Sequence, residues 1–220
     1  MNIAGLPRRR SKWLTTTTMA VVAAAGIALT LTIPQTAAAA ATGGSVATAV
    51  HAPYCGIYWG STAKTGAPPG AADWFTFPTD GSAVDNVRAG RHDCYDRLVL
   101  DVLGSRPGYR VQYVAEIAEY SVIDGERGPA IPVQGGAFLE ILVPTNAGRP
   151  DGSNAYTPLN RNQLVDVAGW DTFRQITEVG YYEALRQFGL GVRARLPFRV
   201  FTLSGPNDRS RLVIDVAHRW

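Results

Sequence analysis

With 220 residues and a formal net charge of +3, the chain is of single-domain size and looks mildly basic, carrying 21 Lys and Arg against 18 Asp and Glu. Four of the basic residues, Arg8, Arg9, Arg10 and Lys12, crowd an acid-free leader, so residues 42 to 220 hold 17 basic against 18 acidic residues, a net charge of −1. That excludes a nucleic-acid footprint: the basicity belongs to the leader, and the remaining arginines are scattered among acids.

The leader has three parts. Its basic stretch precedes an apolar run from Met19 to Ile33, too short to span a bilayer comfortably. Pro34 and the alanine tract Ala37 to Ala41 follow, with small-x-small sites such as Ala39-Ala40-Ala41. This layout predicts a signal peptide over residues 1–41, a secreted product, and no membrane association after cleavage. An uncleaved anchor is the competing reading. Twin-arginine export is a further one, disfavoured because Lys12 displaces the hydrophobic pair expected after Arg9-Arg10. Residues 42–53 are small and weakly polar, a flexible linker. Residues 54–220 are long enough for one domain with its own core.

Order is expected from Tyr54. The stretch from Tyr54 to Gly60 concentrates aromatics around Cys55, and the Gly66 to Gly70 stretch has loop chemistry. Cys55 and Cys94 both fall in the exported part, where thiols are oxidised, so a disulfide between them is expected to clip an N-terminal arm to the domain. Free thiols or half a metal site would need a reducing compartment or further ligands. Alternation then predicts strands over Tyr95 to Val102 and Tyr109 to Val114, joined by a Gly-Ser-Arg-Pro-Gly turn as a hairpin. Further strands are predicted over Ala137 to Val143, Gln175 to Val179, Val192 to Leu196, Phe198 to Leu203 and Ser210 to Ala217. Gly and Pro clusters at 124 to 129, 148 to 152 and 204 to 206 separate these runs. Tyr181 to Phe188 reads as strand in preference to a helical turn. The sum is an all-β protein, an antiparallel β-sandwich or barrel. Asp96 to Val102 (DRLVLDV) is echoed by Ser210 to Val216 (SRLVIDV), which reads either as pseudo-symmetry or simply as good strand chemistry.

Catalytic constellations are absent from the sequence. His51, His92 and His218 are far apart and fit no metal spacing, and no cofactor or metal is expected. His92, within Arg91-His92-Asp93, is the one candidate base, although consecutive strand residues point to opposite faces. There is no G-x-S-x-G elbow, no Ser-x-x-Lys and no phosphate-cradling loop; Gly135-Gly136 reads as turn glycine. Carboxylate pairs such as Asp93 with Asp96 carry little weight. Aromatics are the richer class. Tyr58, Trp59, Trp74 and Tyr182, in segments with loop character, are the candidate ligand-binding residues, set against the ordinary burial of such rings.

Two stretches support a family resemblance. Gly90 to Val102 followed by Pro107 to Val114, and Gly189 to Phe201 closing with Arg211 to Val216, resemble the AMIN-like domain proteins of actinobacteria across the ordered chain. The resemblance implies a β-sandwich related to the AMIN domain, which in cell-wall amidases is a targeting module for peptidoglycan. It implies no amidase activity, since the zinc ligands of those enzymes lie in a separate domain. The expectation is thus a secreted, non-enzymatic cell-envelope module binding peptidoglycan or another wall glycan. A secreted hydrolase with a site near His92, and an assembly module that pairs through a sheet edge, are the alternatives.

Overall fold

The computed structural model describes residues 53–220. The expected signal peptide, residues 1–41, and all but the last residue of the expected linker, residues 42–53, lie outside the described residues. Eleven strands follow in chain order: β1 (Lys64–Gly66), β2 (Ala83–Arg91), β3 (Tyr95–Leu103), β4 (Tyr109–Val114), β5 (Ile117–Tyr120), β6 (Arg127–Ile131), β7 (Ala137–Pro144), β8 (Phe173–Tyr182), β9 (Leu185–Val192), β10 (Phe198–Ser204) and β11 (Arg209–Ala217). No helix occurs among the described residues, and so none long and apolar enough to cross a membrane. The strands form a five-stranded sheet, β1-β4-β7-β9-β8, a four-stranded sheet, β10-β11-β3-β2, and the hairpin β5-β6, all antiparallel.

Strand alternation builds the core. Leu98, Leu100 and Val102 of β3 and Leu212, Ile214 and Val216 of β11 meet Leu139, Ile141 and Val143 of β7 and Phe188, Leu190 and Val192 of β9, all buried. Each such side chain contributes about 1.5–3 kcal/mol by leaving water. The fold is the all-β sandwich expected from the sequence, and Cys55 is bonded to Cys94.

The sequence echo has a direct structural meaning. β3 and β11 are neighbours, paired Arg97 to Asp215, Val99 to Val213 and Asp101 to Arg211. Each copy carries Arg near its start and Asp four residues on, so antiparallel pairing sets every Arg opposite an Asp across a local two-fold at Val99 and Val213. The two similar strands are adjacent at the centre of one sheet.

Four expectations need correction. Tyr95 to Val102 and Tyr109 to Val114 do not form a hairpin: β3 pairs with β2 and β11 in the four-stranded sheet, whereas β4 pairs with β1 and β7 in the five-stranded one, so the Gly-Ser-Arg-Pro-Gly turn carries the chain from one sheet to the other. Val192 to Leu196 is not a strand: β9 ends at Val192, and the chain leaves the ladder because Arg193 N–H bonds to the Thr172 carbonyl while Leu196 turns into the core. The Tyr113 hydroxyl holds this loop by donating to the Leu196 carbonyl at 2.6 Å and accepting its N–H at 3.0 Å. The cluster at 124 to 129 is only partly a break, because β6 begins at Arg127. Tyr181 to Phe188 is strand and not helix, as read, but it is divided between the end of β8, a turn and the start of β9. Glu183 and Ala184, at φ 50° and 61°, form a two-residue loop with both residues left-handed, the twist a tight hairpin demands. Glu183 tolerates this conformation while its carboxylate accepts the Ser121 hydroxyl and the N–H groups of Val122 and Ile123, tying in the β5-β6 turn.

The two outer faces differ. On the five-stranded sheet, β5-β6 lies across β9, where alternate outward positions are glycine. A Cβ on Gly189 would stand 3.0 Å from Ile117, and one on Gly191 would stand 1.8 Å from the backbone oxygen of Gln134. Around that apolar contact, Gln187 pairs with the backbone of Tyr120, and Arg127 reaches Glu140 at 2.8 Å. Among the described residues, no hairpin lies over β3 and β11 of the four-stranded sheet.

Candidate ligand-binding face

The open face is built from the outward residues of four strands. Gly90 of β2, Arg97 of β3, Asp215 of β11 and Arg199 of β10 form one transverse row. Arg88, Val99, Val213 and Phe201 form the next. Asp215 is fully buried and fixes both guanidiniums: Arg97 donates from Nε at 2.6 Å and Nη2 at 2.9 Å, and Arg199 donates from Nε at 2.8 Å. Hydrogen bonding to Asp215 raises the Arg97 guanidinium above its ordinary value, against the opposing pull of burial.

Rings alternate with these cations. Arg97 lies 5.2 Å from the Tyr95 centroid and 5.6 Å from Phe201, while Arg199 lies 5.2 Å from Phe201, 5.4 Å from Tyr95 and 5.5 Å from Trp59. Trp59 comes from the arm. A tight turn, closed by Ile57 N–H to the Tyr54 carbonyl, puts Cys55 and Gly56 at positive φ, and the disulfide to Cys94 fastens it beside β3. Beyond it, Phe198 N–H bonds the Gly60 carbonyl, so the arm runs beside β10. The Trp59 indole N–H donates to the Tyr54 carbonyl at 2.9 Å, and its ring lies 5.8 Å from Tyr95. A part-buried tryptophan thus borders the cationic row with its orientation set.

The four sequence candidates occupy different places. Tyr58, 72% exposed, and Trp59 sit in the arm bordering the open face. Trp74 lies under the Arg110 guanidinium at 4.8 Å, beside β4 of the other sheet. Tyr182 is exposed at the β8-β9 turn, where the neighbouring Glu183 carboxylate raises its phenol. Sequence reasoning missed Tyr95, Arg97, Arg199, Phe201 and Asp215. The signal available was the echo, which marks Arg97 and Asp215 as cross-strand partners.

His92 is exposed and stacks on Tyr95 at 4.5 Å, and no hydrogen bond reaches its ring from the described residues. Among the described residues, the histidine with a carboxylate partner is His218, whose Nε2 lies 3.2 Å from Asp96 and whose Nδ1 lies 3.9 Å from Asp171. Asp96 is buried and also accepts the N–H groups of Thr172 and Phe173. That arrangement clasps the end of β11 and the start of β8 to β3. Among the described residues no group of three or more His, Cys, Asp or Glu is placed to hold a metal ion.

Fold and face together define a class: a β-sandwich with one outer face covered by a hairpin and the other presenting arginines and rings. The chain belongs to the AMIN-like domain family, whose sequence profile matches residues 82–218. Neither a curated protein nor a solved structure matches it. The matched span runs from the start of β2 through β11, so the arm with Cys55 and Trp59 is attached from outside the family segment.

Proposed function

We propose that this protein is an extracytoplasmic, cell-envelope module that holds a wall glycan, peptidoglycan first, and does not transform it. The observation that carries the reading is the open face of the four-stranded sheet, where Arg97 and Arg199 stand among Tyr95, Phe201 and Trp59. Flat rings present faces on which sugars stack, and guanidiniums supply planar hydrogen-bond forks. Membership of the AMIN-like family and the leader-like first 41 residues support an envelope setting. The test is co-sedimentation of the protein with purified sacculi. Retention above that of an unrelated secreted protein, reduced by Trp59→Ala, is the expected result; recovery of the wild-type chain in the supernatant at the control level would sink the reading.

A further inference from the structure

Resting on that reading, we infer that the open face selects an acidic saccharide, seating a carboxylate on Arg97 and Arg199 and laying the sugar ring on the adjoining aromatics. The cations are unevenly used. Asp215 engages Nε and Nη2 of Arg97 and Nε of Arg199, and Arg97 Nη2 also donates to the Tyr95 hydroxyl. Arg199 Nη1 and Nη2 and Arg97 Nη1 make no hydrogen bond with the described residues, and the two side chains are 32% and 24% exposed. Because Asp215 is wholly buried and both its oxygens are engaged, it holds the two forks in place before any ligand arrives, which lowers the ordering cost of binding.

Charge and shape favour an anion with a ring. Across the outward rows Arg88, Arg97, Arg199 and Arg211 stand against Asp101 and Asp215, an excess of two positive charges. Residues 42–220 as a whole are slightly acidic, so this surplus is local. Gly90 faces Arg97 across the ladder, and a Cβ there would meet only the His92 ring, at 3.9 Å, leaving the row open on the β2 side. A neutral glycan would use the rings and leave the free guanidinium edges unpaired. A polyphosphate would satisfy the charge and make no use of the Trp59 ring that borders the row. An acidic sugar meets both demands.

The experiment is calorimetric titration of the full chain with oligogalacturonate, a neutral maltooligosaccharide of equal length and polyphosphate. Oligogalacturonate is expected to bind, with affinity falling as salt rises, and the neutral oligomer to bind at least tenfold more weakly. Arg199→Ala should weaken oligogalacturonate binding about tenfold or more with an unchanged far-UV spectrum, and Arg199→Lys should not restore it, because an ammonium lacks the planar fork. Equal binding of the neutral oligomer or of polyphosphate overturns the inference, as does indifference to Arg199→Ala. The ligand comparison needs no variant, so a folding defect in one leaves the test intact. Sacculus binding that survives Arg199→Ala overturns this inference alone; oligogalacturonate binding without sacculus binding overturns the proposed function alone.

Discussion

Replacing Asp215 by Asn preserves shape and deletes the charge that two guanidiniums share. Asp215 is fully buried and accepts three bonds of 2.6, 2.9 and 2.8 Å from Arg97 and Arg199. An amide can accept from one side only, and its NH₂ would face an arginine donor. Breaking a buried ion pair by removing one partner costs about 3–5 kcal/mol. Both arginines keep some exposure, so water recovers part of the loss, and a destabilisation of roughly 2–3 kcal/mol is expected. Against a total stability on the order of 5–15 kcal/mol this is readily measured. The assay is urea unfolding followed by tryptophan fluorescence, with Asp101→Asn as the internal comparison. Asp101 pairs with Arg88, whose side chain is 50% exposed, so that substitution should cost below about 1 kcal/mol. If Asp215→Asn shifts the midpoint no more than Asp101→Asn does, the buried carboxylate is not what organises this face.

Gly191→Ala should be far worse than an exposed glycine change, since the new Cβ would collide with the Gln134 backbone; a loss above about 3 kcal/mol or failure to fold is expected, while Gly152→Ala, with open space around it, pays only for its left-handed backbone, about 1 kcal/mol. Burial pushes the Tyr113 phenol up to about 12, in spite of its bond with Leu196, so the stability it supplies is complete below its unfolded value near 10 and declines as pH rises from there toward 12. Tyr113→Phe should remove that alkaline slope and cost about 1–2 kcal/mol at neutral pH, read from urea midpoints over a pH series. Converting Cys55 and Cys94 together to Ser opens a 39-residue loop and should cost up to about 4 kcal/mol by chain entropy, with Trp59 emission shifting red as the arm detaches from β10.

The strands most legible in the sequence were those whose alternation is clean. β3, β4 and β11 place Arg, Asp or Gln among their outward residues, β7 sets inward Leu139, Ile141 and Val143 at period two, and all lie close to where period-two reading puts them. β2 is not legible because AVDNVRAGR mixes Asp, Asn and Gly and carries a bulge at Asp85, which breaks the period. The second half of β9, past Phe188, is obscured for another reason: Gly189 and Gly191 look like breakers, yet they are the outward positions that let Ile117 and Gln134 approach the sheet. The run VRARL alternates well but forms a loop, because Thr172 and Tyr113 bind its backbone more favourably than a ladder would. The face was legible only in part. Trp59 and Tyr58 stand out as aromatics in a loop, whereas Arg199 and Phe201 join them through a pairing of β10 with β11 that local sequence does not specify.

The echo in β3 and β11 has a consequence for how the chain must be made. A segment that reads as the complement of itself when reversed will accept an identical segment from another molecule as readily as its own sister strand. Because Arg97 and Asp215 are 118 positions apart, each newly synthesised β3 waits while more than a hundred further residues are made before β11 emerges to pair with its free side. Crowded nascent chains are therefore exposed to strand exchange at this one ribbon. Dilute, unhurried refolding should give fewer intertwined dimers than concentrated refolding, with the exchanged strand being β11.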